Sequence, residues 1–351
     1  MKVLTEFHQE SLWWSMKLLL EDRLGWELYR PIGMDWYNKG YYRLYGHLGM
    51  KDPYGWLAHR YLEDTVYGYD KSTRMAYGVE TRKGCDLFPH FKCLTLEEAK
   101  DTQFDYIICG IKDNERYLKR FRDEFCPNAK LIRHVGNAGD VVDFDIYHNV
   151  MSSDKQLFPY YQCKNKILYH QEFPLSLYTY TKPSYNYHIY SFINAIYENA
   201  LANNQIGIWR EYEHELLEYE LRAYGAFSED GKIYKRRDLV KKMQESSFFW
   251  QYKWNDGYGH CHFNAGALGR PILTAPDCYS GKLGEELLVD GETCLIDNGD
   301  RSDMFRRIRY YSREDRLETM CINMHERFEN TVNFDVEFRD VIYPFLERCV
   351  L

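Results

Sequence analysis

The opening of the chain constrains its fold more than any other stretch. Met1 to Phe7 reads as a short strand, and Ser11 can cap the segment LWWSMKLLLEDRL, whose apolar spacing suits an amphipathic helix ending at Gly25. Trp26 to Gly33 then reads as a second strand. Strand, helix and strand in that order form a β-α-β unit, whose crossover makes the strands parallel. A parallel sheet needs helices on both faces, so the expected class is α/β.

The alternation continues. LTLEEAKD reads as a short helix, FDYIICGI as a buried strand, NERYLKRFRDEFCP as a helix closed by Pro127, and AKLIRHVG as a strand. The tract from Asp35 to about Lys83 is rich in Tyr, Gly and Trp without a clear period, and reads as an irregular insertion with a helical piece at Trp56 to Asp64. ILYHQEF reads as a strand leading into PLSLYTYTKPSYN, a Pro- and Tyr-containing crossing with a domain boundary near Pro183. Beyond it YHIYSFIN, YELRAYG and FFWQYK read as strands, RRDLVKKMQES as a helix, and another helix starts beyond Gly259. From Asp303 the chain is charged and helical, and its 351 residues suit two domains.

Composition narrows the function. A formal net charge of −8 argues against the broad basic face by which nucleic-acid backbones are held. The 32 Tyr, 19 Phe and 8 Trp supply rings on which sugars can stack, although a half-buried Tyr packs and hydrogen-bonds without any ligand. The 10 Cys are scattered without a CxxC and read as reduced thiols. MKVLTEF lacks the apolar core of a signal peptide, and no apolar run approaches the roughly 20 residues of a spanning helix. The expected place is the cytoplasm, with any membrane contact peripheral.

The most informative segment runs Lys253-Trp-Asn-Asp256-Gly257-Tyr258-Gly259-His260, followed by Asn264-Ala-Gly-Ala-Leu-Gly269-Arg270-Pro271. Glycines between a strand and a helix let the backbone approach a ligand, and the helix start offers N–H groups to an anion such as a diphosphate. Asp256 in the loop and Asn264 a little over one turn into the helix could reach one ligand from adjacent levels.

DGYGHCHFNAGALGRPILT resembles the donor-site segment of retaining GT-B glycosyltransferases of the glycogen-synthase-like superfamily. That family reads Glu-Gly-Phe-Gly, four residues, Glu-Ala, three residues, then Gly, Lys or Arg, and Pro. The resemblance places Asp256 at the first glutamate, beside the transferred sugar, and Asn264 at the second, which grips the ribose hydroxyls. GKLGEELLVDGETCLIDN extends the match, which covers roughly residues 185 to 300, while the N-terminal half matches by topology only. Both glutamates are replaced, and Cys294 stands where Gly is usual, so the nucleotide is left open.

The resemblance implies a GT-B architecture: two Rossmann-like domains facing across a cleft, with residues 1–183 on the acceptor side and 184–330 holding the donor. Residues 331–351 form a C-terminal helix able to pack back on the N-terminal domain. The implied activity is transfer of a sugar from a nucleoside diphosphate sugar, a UDP-sugar first, to a hydroxyl of a saccharide or glycan, with retention. Donor contacts are assigned to Ser191, Gly257, Tyr258, Gly259, His260 and Asn264, and catalytic roles to Asp256, His8 and Lys253. Lys253 and His260 flank the turn and could offset diphosphate charge, with Arg210 and Lys282 as lesser cations. His8 follows the first strand, with Glu10 in the same loop, while His134 and Asn137, at the end of a later strand, are acceptor-side candidates.

His170 and Glu172 read as structural. Asp143-Phe144-Asp145 is a DxD of the kind that holds a metal in GT-A enzymes, but it lies outside the donor-like half, and neither a metal nor a cofactor is expected. Two other readings stay open: a DNA glycosyltransferase acting on hydroxymethylated pyrimidines after base extrusion, and a sugar- or nucleotide-binding protein without catalysis.

Overall fold

The computed structural model describes residues 1–5, 10–31, 68–70, 75–77, 91–94, 96–110, 115–136, 142–193, 205–225, 228–233, 235–254 and 258–351. Most of the 35–83 tract, including the expected helical piece at 56–64, lies outside them. The chain divides into two compact units, one of residues 1–153, 157–173 and 334–351, the other of 154–156 and 174–333.

The first unit is built on a nine-stranded sheet. Its strands are β1 (Lys2–Thr5), β2 (Glu27–Pro31), β3 (Gly68–Asp70), β4 (Met75–Tyr77), β5 (Phe91–Leu94), β6 (Tyr106–Cys109), β7 (Lys130–Val135), β8 (Asn149–Ser152) and β9 (Asn165–Leu168). They lie in the order β3-β4-β5-β2-β1-β6-β7-β8-β9, with only β4 running against its neighbours. Successive side chains along a strand point to opposite faces. Val3, Tyr106, Ile108, Ile132 and Met151 therefore join one core, and Leu4, Ile107, Cys109, Leu131 and Val150 the other.

On the first face lies the helix Glu10–Met16, which widens into a π-helical stretch at Lys17–Arg23 and stops before Gly25 at φ +64°. Leu12, Trp13, Met16, Leu19 and Leu20 form its buried stripe. The same core takes Ile342, Phe345, Leu346 and Cys349 from the end of the chain, where helix Tyr343–Arg348 packs its i, i+3, i+4, i+7 face.

Two asparagines explain why buried polar residues open β8 and β9. Asn149 donates to Val350 O (2.9 Å) and accepts from Val350 N (3.1 Å), pairing as a backbone strand would. Asn165 donates to Asn149 Oδ1 (2.9 Å) and Phe345 O (3.4 Å). Farther along, Glu337 accepts from His170 N at 3.0 Å, and Arg23 bridges Glu172 (3.0 and 2.8 Å) and Asp335 (2.7 Å).

The second unit carries a five-stranded, wholly parallel sheet: β10 (His188–Ser191), β11 (Glu220–Ala223), β12 (Phe248–Trp250), β13 (Ile272–Thr274) and β14 (Cys294–Ile296), in the order β11-β10-β12-β13-β14. Ile189, Phe248, Trp250, Leu273 and Leu295 bury one face against helices Gln205–Glu215, Arg301–Tyr311 and Glu314–Thr331. Trp209 meets Trp250 edge-on at 5.1 Å. Among the described residues no helix is long and apolar enough to cross a membrane.

Two outcomes follow from this packing. Asn149→Ala removes four hydrogen bonds, two of them to Val350 in the C-terminal segment, and the unfolding free energy from urea titration should fall by about 1–3 kcal/mol. Burial also raises thiol pKa values, Cys278 to about 11 and Cys294, Cys321 and Cys349 to about 12, from an ordinary 9.0. The folded state thus holds these thiols neutral while the unfolded chain ionises above pH 9. Their contribution is fully present below pH 9 and drains away toward pH 12, so urea midpoints should decline steadily with alkalinity there.

Candidate functional site

In the second sheet β10 lies between β11 and β12, so the crossovers leave it in opposite directions and the strand order reverses between β10 and β12. Open α/β sheets bind ligands outside the carboxyl ends of the strands at such a point. Two polar side chains occupy it. Ser191 ends β10, fully buried, and its Oγ makes no hydrogen bond; Gln251 follows β12, 2% exposed, and its Nε2 makes none. An unsatisfied buried polar group costs about 1–3 kcal/mol, and native proteins leave few. Thr274, at the end of β13, donates its hydroxyl to Gln251 O at 2.9 Å and steadies the backbone there.

Next to this pair begins helix His260–Leu268. Its N-cap is Gly259 in the left-handed region (φ +81°, ψ 50°), with no side chain capping the first turn. A Cβ at Gly259 would also come within 2.9 Å of His262 Nδ1, so both conformation and space require glycine. Cys261 Sγ donates to Phe192 O at 3.6 Å, setting the first turn of the helix against the residue after Ser191. Asn264 sits one turn in, half-buried, and Tyr258 is buried with its ring stacked on Phe263 at 4.6 Å and edge-on to His260. The structure thus brings together Ser191, Tyr258, Gly259, His260 and Asn264, with Lys253 half-buried just beyond β12.

Asp256, Gly257, His8 and Asn137 lie outside the described residues, as does the side chain of Glu10. In the first unit His134 is 1% exposed near the carboxyl end of β7, edge-on to Tyr169 at 5.9 Å. A Cβ on Gly136 would touch its ring at 3.1 Å. Arg210 is exposed on its helix and paired with Glu213 at 2.5 Å. Asp143 and Asp145 are exposed, and Asp143 accepts the Asp145 backbone N–H at 3.0 Å. Among the described residues no three His, Cys, Asp or Glu side chains gather as a metal set.

Gln251 escapes a sequence reading because its significance lies in the strand order. A glutamine closing the run FFWQYK becomes a ligand candidate only once β10 and β12 are neighbours.

Arg270, in the Gly-Arg-Pro that closes the donor-like segment, has a structural task. It is fully buried and donates to Thr181 O (2.9 Å), Thr181 Oγ1 (2.7 Å), Gln244 O (2.8 and 3.2 Å), Leu268 O (3.0 Å) and Gly269 O (3.2 Å). Burial lowers its pKa, while five donors spread over carbonyl dipoles keep the ion satisfied. It ties the segment entering this unit to the ends of two helices. Beside it Gly269 adopts φ +66°, where a Cβ would lie 2.7 Å from Cys321 O.

Comparison with solved structures decides the architecture. The Anabaena protein HepE in complex with UDP-glucose superposes with a TM-score of 0.59 at 12% identity, covering 99% of this chain and 100% of HepE. A glycosyltransferase from Rickettsia africae gives 0.58 at 9% identity, covering 99% of this chain and 98% of its own. The fold is GT-B. TarM of S. aureus gives 0.54 at 10% identity over 80% of this chain, which spans only 62% of the length of TarM. No protein-family model matches the chain, and no curated protein matches it by sequence.

Replacing Arg270 by Met should cost about 3 kcal/mol or more, because several buried carbonyls lose their donor at once. Arg270→Lys, with fewer donors in no fixed fork, should recover only part of that in a urea titration.

Proposed function

We propose that the chain transfers a glycosyl group from a nucleoside diphosphate sugar, with UDP as the first nucleotide to test, to a hydroxyl of a saccharide acceptor. The observation that carries this reading is the buried, unpartnered pair Ser191 Oγ and Gln251 Nε2 at the strand-order reversal, beside the uncapped start of helix His260–Leu268. A diphosphate answers both features: it accepts hydrogen bonds from hydroxyl and amide donors, and its charge is favoured at a helix N-terminus. The ligands held by three structural neighbours support the donor class. HepE is bound to UDP-glucose, the pneumococcal O-GlcNAc transferase GtfA (TM-score 0.52 at 14% identity, over 70% of this chain and 57% of GtfA) to UDP and GlcNAc, and TarM to UDP, fondaparinux and α-GlcNAc-glycerol.

In the proposed reaction the bond between the anomeric carbon and the diphosphate oxygen breaks, a bond from that carbon to the acceptor oxygen forms, and the acceptor proton is released. Charge grows on the leaving diphosphate. The N-terminal end of helix His260–Leu268, with Lys253 and His260 beside it, would stabilise that charge from fixed positions. Asp256 would stand by the transferred sugar and Asn264 by the ribose. Retention of anomeric configuration and the role of His8 on the acceptor side follow from the family resemblance, as do His134 and Asn137 as acceptor contacts.

A thermal-shift series with UDP, GDP, ADP and CMP tests the reading. UDP at a hundred times its Kd should add about 2.7 kcal/mol of stability to the parent, and most of that gain should vanish in Asn264→Ala. Asp256→Ala should retain UDP binding yet release no UDP from UDP-glucose in the presence of a saccharide acceptor. No shift with any nucleotide, or equal shifts in all three proteins, would remove the donor assignment.

A further inference from the structure

Lys282 is 4% exposed, an unusual depth for an ammonium group. Its Nζ donates to Trp254 O at 2.9 Å and to Cys278 O at 2.7 Å. Cys278 lies in the short helix Pro276–Tyr279, and Lys282 immediately precedes the 3-10 turn Leu283–Leu287. Trp254 is the last described residue before the Asp256-Gly257 pair, so the lysine holds the carbonyl from which that span departs. The chain bends into the lysine at Gly281, φ +75°, whose N–H is accepted by Glu285 Oε2 at 2.8 Å.

The other end of the span is held from the same turn. The His262 ring is 3% exposed and lies between two glycines: a Cβ on Gly259 would reach its Nδ1 at 2.9 Å, and one on Gly284 its Cγ at 3.1 Å. His262 N also donates to Gly259 O at 2.8 Å. Residues 281–285 thus touch the approach to the Gly-rich turn through an ammonium group and its exit through an imidazole packed on Gly284.

We infer that the 281–285 turn is a clamp, with Lys282 its principal positioning residue, and that it holds the two flanks of the Gly-rich segment, Trp254 on one side and Gly259 with His262 on the other, where the diphosphate sugar is received. Lys282 acts here in a way that Lys253 and His260 are not assigned, because two of its three N–H donors are directed at main-chain carbonyls. A buried ammonium whose hydrogen bonds are met by carbonyl dipoles is a stiff strut: releasing either carbonyl leaves a charge short of partners in a low-dielectric setting. Such a strut steadies the residues flanking the donor segment before ligand arrives, lowering the ordering cost of binding.

The inference rests on the donor reading of residues 253–264, and the experiment separates the two. Amide hydrogen exchange is followed without ligand in the parent, Lys282→Met and Lys282→Gln; UDP binding is measured by calorimetry on the same samples. Lys282→Met should speed exchange at residues 258–262 at least tenfold, with helix Glu314–Thr331 unchanged, and weaken UDP at least tenfold. Lys282→Gln keeps two N–H donors on a shorter side chain and should fall between. Unchanged exchange at 258–262 overturns the clamp, and faster exchange with unaltered UDP affinity overturns its positioning role. If the parent binds no nucleotide while exchange still accelerates, the clamp stands and the donor reading falls. Should Lys282→Met fail to fold, Gly284→Ala provides the second test, since its backbone needs no left-handed conformation and its methyl group presses only on His262. It should loosen the same amides, and protection equal to the parent's would count against the inference.

Discussion

Parallel pairing is the constraint from which the rest of this structure follows. Each parallel neighbour requires the chain to cross a face of the sheet, so every strand except β4 begins at one edge of its unit and delivers its loop at the other. In the second unit that rule places the residues after Ser191, Trp250 and Thr274 on one side. Reversal of strand order at β10 then makes a place there between diverging crossovers, where open sheets bind ligands. Ser191 Oγ and Gln251 Nε2, neither with a hydrogen-bond partner, lie at that reversal.

Conformation and electrostatics act together at the helix that starts beside them. Gly259 is required by its left-handed backbone and by the His262 ring beneath it, and no side chain caps the helix start, where the dipole favours an anion. Buried cations frame the same helix for a different purpose. Arg270 at its far end and Lys282 below its approach both donate to main-chain oxygens. Each spends a costly buried ion on holding backbone in position, which is where conformational uniqueness matters more than net stability.

Much of this was legible in the residues. The opening β-α-β unit, the helices around Lys119 and Val240, and the strands ending at Val135 and Trp250 fall where apolar periodicity puts them. The Gly-rich segment announced a strand, a turn and a helix in that order. What periodicity did not reveal were short elements: β8, with only Asn149–Ser152, and helix Gln205–Glu215, whose apolar residues mix with Tyr, Arg and Glu. Their assignment depends on neighbours distant in sequence. The same holds at the site, since Lys282 reads as a candidate cation until its burial and two carbonyl partners are seen. Arg270 reads as part of a ligand motif until its carbonyl cage is known.

The route of the backbone has a further consequence. Residues 174–333 are interposed between the bulk of the first unit and the segment 334–351 that completes it. During synthesis, therefore, Trp13, Met16, Leu20 and Tyr106 would wait with one flank exposed until Ile342, Phe345 and Leu346 emerge from the ribosome, long after the intervening unit is complete. The earlier-made half is the later to mature, a vulnerable interval of the kind that chaperones exist to cover.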